Sequence, residues 1–110
     1  MSDHAQQLAG QAQLYQQQMQ GIAMQKEALN MQVQEINGAL DDLEKTKEKT
    51  VYKASGPLLI KSSKEDVVKD LGEKKDLIDS RFKLLERSET KIKAKIDELR
   101  EKITKAGMGS

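Results

Sequence analysis

The sequence predicts a mainly α fold: an antiparallel two-helix coiled coil whose helices are joined by one β-hairpin, with hairpins of several subunits expected to meet in a shared sheet or inter-subunit β-barrel. Two long heptad runs and the change of period between them carry this reading. Stepping by three and four from Ala5 gives Leu8, Ala12, Tyr15, Met19, Ile22, Lys26, Leu29, Val33, Ile36, Leu40 and Leu43, and eleven of these twelve positions are apolar. The same steps from Val68 give Leu71, Lys75, Ile78, Phe82, Leu85, Glu89, Ile92, Ile96, Leu99 and Ile103, of which nine in eleven are apolar. A 3.5-residue period held this long specifies coiled-coil helices. At 1.5 Å per residue they span roughly 58 and 54 Å.

Composition agrees. A chain of 110 residues is enough for one domain, but with 34% charged and 3% aromatic residues it can fill a narrow Leu/Ile/Val seam and not a broad core. The net charge of +1 produces no overall field toward nucleic acid or an anionic membrane. There is no cysteine, so disulfide and thiolate chemistry are excluded. No apolar run approaches the ~20 residues of a membrane span, and no basic-then-apolar secretory signal opens the chain. The expectation is a soluble, cytoplasmic protein.

Taken in order, helix one is expected over residues 5 to about 48. Residues 1–25 of the chain hold nine Gln and a single charged side chain, Asp3. Its glycines, Gly10, Gly21 and Gly38, fall outside the seam and cost on the order of 1 kcal/mol each relative to Ala. The charged stretch 44–50 closes it. The period then changes. Val51-Tyr52-Lys53-Ala54-Ser55 is β-branched and aromatic, Gly56-Pro57 punctuates, and Leu58-Leu59-Ile60-Lys61 resumes with strand propensity, so residues 51–61 read as a hairpin. Pro57 suits the start of the second strand or an edge. Ser62 and Ser63, followed by Glu65 and Asp66, are a capping-box pattern opening helix two over residues 64–105, with Gly107 ending it. A short hairpin forces the helices antiparallel. Pairing Leu43 with Val68 then brings Leu40 to Leu71, Leu29 to Phe82 and Leu8 to Ile103, so both runs finish at the same level. Two short strands alone are marginal in water. Val51, Tyr52, Leu58, Leu59 and Ile60 have no core of their own, and open strand edges invite pairing with another chain. The expected outcome is an oligomer built on a shared sheet or barrel of hairpins.

The middle segment carries a family resemblance. Val51-Tyr52-Lys53-Ala54-Ser55-Gly56-Pro57-Leu58-Leu59-Ile60-Lys61 between two long helices resembles the prefoldin β-subunit family in its archaeal form. The likeness continues through Val67-Val68-Lys69-Asp70-Leu71 and Leu85-Glu86-Arg87 and includes the Gln-rich start with Leu14-Tyr15-Gln16-Gln17. It covers nearly the whole chain, making residues 1–110 one prefoldin-like domain. The resemblance implies a hexamer of two α and four β subunits with the prefoldin α subunit as partner, and coiled-coil arms on a double β-barrel. It also implies ATP-independent holding of unfolded client proteins at the arm tips and delivery to a group II chaperonin. At the tips this sequence offers Leu8, Leu14, Tyr15, Met19, Met24, Ile96, Leu99 and Ile103.

Several residues carry a plain reading beside a functional one. His4, the single histidine, sits in a terminus expected to be disordered and has no assigned role. No phosphate-binding glycine loop and no set of metal ligands is visible, so neither enzyme chemistry, cofactor nor metal is expected. Leu14, Met24, Met31, Leu77 and Leu84 fall off the seam. Scattered apolar residues on a surface are ordinary, yet methionine suits promiscuous contact; Leu77 and Leu84, nearer the hairpin, suit packing on a neighbouring subunit. Lys26, Lys75 and Glu89 stand where the seam wants apolar groups. They either specify register, with Lys26 and Glu89 in adjoining layers reaching each other, or loosen the arm. Arg100, Lys102 and Lys105 suit the C-terminal dipole of helix two or an acidic docking surface on a chaperonin. The rival readings are a structural coiled-coil adaptor with a defined partner and a nucleic-acid-binding arm, the latter disfavoured for want of a basic stripe.

Overall fold

The computed structural model describes residues 3–105. The order of elements is α1 (Asp3–Lys45), β1 (Thr50–Ser55), β2 (Leu58–Ser63) and α2 (Lys64–Ile103). Two compact units divide the chain: one joins α1 as far as Glu27 to α2 from Phe82 onward, and the other is Ala28–Arg81 with the hairpin.

In both units the heptad positions are the covered ones. Ala5, Leu8, Ile22, Ile96 and Leu99 are buried in the first, and Leu29, Ile36 and Ile78 in the second. Each buried Leu or Ile contributes about 1.5–3 kcal/mol relative to leaving it in water. The remaining seam residues of α1, and those of α2 from Leu71 onward, are half-buried, as a two-helix seam open along both sides requires. Val68 is the exception at 39% exposed, while Val67 is half-buried instead. The covered positions there run Val67, Leu71, Lys75, with spacings of four and four. The first turns of α2 therefore follow the straight-helix period of 3.6 more closely than the supercoil period of 3.5. The predicted Leu43–Val68 layer is corrected accordingly.

The element ends have local causes. Helix α1 stops at Lys45, three residues short of the predicted end, because Thr46 turns the chain. Its N–H still donates to Asp42 O at 3.2 Å, but its hydroxyl accepts from the Glu48 N–H at 3.3 Å, a local bond that competes with further helix. Lys64 ties the far side of the connection: its Nζ donates to Thr46 O at 2.9 Å and its N–H to Lys49 O at 2.8 Å. Ser63 caps α2 as expected, its hydroxyl accepting the Asp66 N–H at 3.1 Å. The α-helical part of α2 ends at Ile103, Thr104 and Lys105 continue it as a π-helical turn to the predicted limit, and Gly107 lies outside the described residues. At the other terminus, Asp3 and His4 are helical, which corrects the expectation of disorder at His4.

The strands are longer than predicted and pair antiparallel from Thr50↔Ser63 to Ser55↔Leu58. The two-residue turn is Gly56-Pro57, with Gly56 at φ +57° and no other described residue at positive φ. Positive φ at the first central position alone is the type II′ pattern, which matches the right-handed twist of the strands. Pro57 thus occupies the second turn position, where its ring already fixes the φ required, and β2 starts one residue later.

Candidate functional site

Two surfaces follow from this arrangement. The first is the hairpin. Strand alternation puts Val51, Lys53, Leu58, Ile60 and Ser62 on one face, and Tyr52, Ala54, Leu59 and Lys61 on the other. Both faces therefore carry large apolar groups. Val51 is half-buried, while Tyr52, Leu58, Leu59 and Ile60 are all exposed, Leu59 by 73%. On the first face, Lys53 shares a shallow depression with Val67, Asp70, Leu71 and Lys74 of α2. Among the described residues the sheet has two strands only, so both of its outer edges have no strand partner there. Exposed apolar faces and open edges together are what a sheet completed by other chains looks like from one chain.

The second surface lies in the unit formed by residues 3–27 of α1 and 82–105 of α2. Its two helices differ sharply in charge. Between Asp3 and Lys26, α1 has no Asp, Glu, Lys or Arg, whereas residues 83–105, α2 and the two residues after it, have thirteen. On the uncharged helix Leu14 is 59% and Met24 72% exposed. Counted from the seam, both lie away from α2, on a stripe with Gly10, Gln17 and Gly21. A Cβ added at Gly10 or Gly21 would meet nothing within 4 Å. These glycines do not admit a close neighbour within the chain; they leave a low, apolar, uncharged surface.

The proposed tip residues thus divide. Leu14 and Met24 are open to solvent, Tyr15, Met19 and Ile103 are half-buried, and Leu8, Ile96 and Leu99 are buried in the seam. The last three could touch another molecule only if the helices part. The Tyr15 ring is further covered by Lys95, whose Nζ stands 5.8 Å from its centroid. Leu84 and, in the other unit, Met31 and Leu77 are exposed as their off-seam positions predict. Arg100, Lys102 and Lys105 are exposed. They stand among acids, and Lys105 Nζ pairs with Glu101 Oε1 at 3.3 Å, so this end is mixed in sign.

The polar seam positions are all partnered. Lys26 Nζ donates to Glu89 Oε1 at 3.3 Å and to Oε2 at 3.5 Å, with side chains 21% and 32% exposed. The same ammonium lies 5.0 Å from the Phe82 ring centroid. The adjoining layers proposed from the heptad register bring these two groups together as expected. In the other unit Lys75 Nζ donates to Asn37 Oδ1 at 2.8 Å. The heptad pattern does not single out Asn37, although an amide next to a seam position and facing an off-type Lys is a readable signal. Among the described residues no group of His, Cys, Asp or Glu is placed to hold a metal ion. Among the described residues no helix is long and apolar enough to cross a membrane.

A coiled-coil hairpin with an exposed two-faced strand pair belongs to a class of assembly subunits and not to self-contained globules. The family model described as prefoldin subunit matches residues 6–110. The chain is 38% identical over 99 residues to prefoldin subunit beta of Archaeoglobus fulgidus, covering 89% of this chain and 85% of that one. It is also 38% identical over 100 residues to prefoldin subunit beta of Thermococcus onnurineus, covering 90% and 86%. The crystal structure of the prefoldin beta subunit from Thermococcus strain KS-1 superposes with a TM-score of 0.86 at 35% identity, covering 96% of this chain and 93% of that one. The chain belongs to the prefoldin family of chaperone subunits, and the relatives it matches are archaeal β subunits.

Proposed function

We propose that this chain is the β subunit of an ATP-independent holdase. Four copies and two prefoldin α subunits would join through their hairpins into a hexamer in the cytoplasm. The coiled coils would hold non-native proteins and release them to a group II chaperonin. The observation that carries this reading is the pairing of an exposed, two-faced apolar hairpin with an uncharged helix face bearing Leu14 and Met24. The hairpin supplies the reason to assemble. The uncharged face supplies contact without selection by charge, which suits clients of any sequence. Single contacts of this size are weak, but several arms on one particle raise the effective concentration of the next contact.

The direct test uses the chain assembled with an α subunit and a chemically denatured, aggregation-prone client. Light scattering should show suppression near stoichiometric ratio, without nucleotide. The double variant Leu14→Ser/Met24→Gln should lose several-fold in suppression while remaining assembled. A structural adaptor would show no suppression with either protein, and full activity in the double variant would move client contact to another surface.

A further inference from the structure

We infer that Met24 is a peroxide-responsive modification site, at which oxidation to the sulfoxide weakens client holding while leaving the coiled coil intact. The functional half rests on the client-holding reading above; the chemical half does not.

Three observations point to this residue. Met24 is the most exposed large apolar side chain of α1. It stands on the side of α1 away from the seam, so a polar, bulkier sulfoxide there displaces no packed neighbour. A methionine in a helix lies back over the turn at i−3 and i−4. For Met24 that turn is Gly21 and Gln20, and Gly21 has no side chain to shield the sulfur, with open space where a Cβ would stand. The thioether therefore lies on a bare patch of helix. Met19 makes the internal contrast, since it is half-buried on the seam, where the same oxidation would push a polar group between the helices. Met31, 58% exposed, is followed in the chain by Gln32 and preceded three positions earlier by Ala28 instead of glycine.

The chemistry is an oxygen transfer from a hydroperoxide. The sulfur lone pair attacks the distal peroxide oxygen, the O–O bond breaks, and hydrogen peroxide leaves as water once the proton has moved to the departing oxygen. The sulfur is oxidised by two electrons and the peroxide reduced by two. The chain has no cysteine to consume the oxidant first. The product is an S=O dipole within residues 5–25 of α1, which carry no charged side chain, so it changes the character of that face more than it would on the densely charged α2. Methionine sulfoxide reductases of both stereochemical types reverse it.

The experiment exposes the full chain, assembled with an α subunit, to graded hydrogen peroxide and follows each methionine by peptide mass spectrometry. Met24 should oxidise several-fold faster than Met19. Circular dichroism should stay unchanged while Met24 alone is oxidised, and client holding should fall several-fold and return after treatment with both reductases. Gly21→Leu should slow Met24 oxidation, because an i, i+3 neighbour then covers the sulfur. Met24→Leu has no sulfur at this position, so peroxide at the same dose should not change that variant's holding from its own untreated value. Equal rates at Met24 and Met19 would overturn the site, and undiminished holding by protein oxidised at Met24 would overturn its effect. Untreated protein that holds no client would instead overturn the function proposed above, while the order of oxidation would still decide the chemistry.

Discussion

Lys26, Glu89 and Phe82 form a small polar cluster in an otherwise apolar seam, and its energetics can be worked from the geometry. The ion pair is close, at 3.3 Å, but its side chains remain 21% and 32% exposed, so it belongs nearer the surface class worth about 0–1 kcal/mol than the buried class. The ammonium over the Phe82 ring, at 5.0 Å, adds about 0.5–1 kcal/mol. A double-mutant cycle of Lys26→Ala and Glu89→Ala, read by urea unfolding at one fixed protein concentration, should give a coupling of about 0.5–1 kcal/mol. In 1 M salt, where the screening length is about 3 Å, that coupling should shrink markedly. The paired replacement Lys26→Leu/Glu89→Leu should be more stable than the natural chain by about 1–3 kcal/mol, because it exchanges a partly desolvated pair for seam packing. It should also lose alignment: with the charges gone, a one-heptad slip no longer sets Lys26 or Glu89 against apolar groups. Disulfide trapping between cysteines placed at adjoining seam layers would then show more than one register. Zero coupling at low salt, or a double-Leu chain of a single register and lower stability, would refute the view that this cluster trades stability for alignment.

Other outcomes follow from the same structure. Gly10→Ala, Gly38→Ala and Gly72→Ala each place a methyl in open space on a helix and should each raise stability by about 1 kcal/mol in thermal unfolding. Gly56→Ala, at φ +57°, should instead destabilise the hairpin by about 1–2 kcal/mol. Ser63→Ala removes the acceptor for the Asp66 N–H and should lower stability by about 1 kcal/mol, with Ser63→Asp restoring most of it. Replacing Val51–Lys61 by a flexible linker should abolish assembly, read by native mass spectrometry, with helical content largely kept; a replaced chain that still forms the full oligomer would rule out the hairpin as the assembly element.

Much of this protein is legible in its residue pattern because a coiled coil is nearly one-dimensional. The heptad count alone identifies the covered positions from Ala5 to Leu43 and from Leu71 to Ile103, and by exclusion the exposed Leu14, Met24, Met31, Leu77 and Leu84. The period, which is local, decides the face. Ser63 as a cap and Gly56-Pro57 as a turn are equally local, since each is set by bonds within a few residues. What the pattern could not settle was decided by contacts between segments distant in sequence. Val67 and not Val68 turns inward because the hairpin dictates where the first turn of α2 begins, and two adjacent valines offer the pattern no choice between them. The turn that ends helix α1 begins with the local Thr46–Glu48 bond, but Lys64, eighteen residues on, holds it by donating its Nζ to the Thr46 backbone carbonyl. The tip residues show the same limit most clearly. Leu8, Ile96 and Leu99 are as apolar as Leu14, and only the presence of the opposite helix makes them core and leaves Leu14 and Met24 as surface.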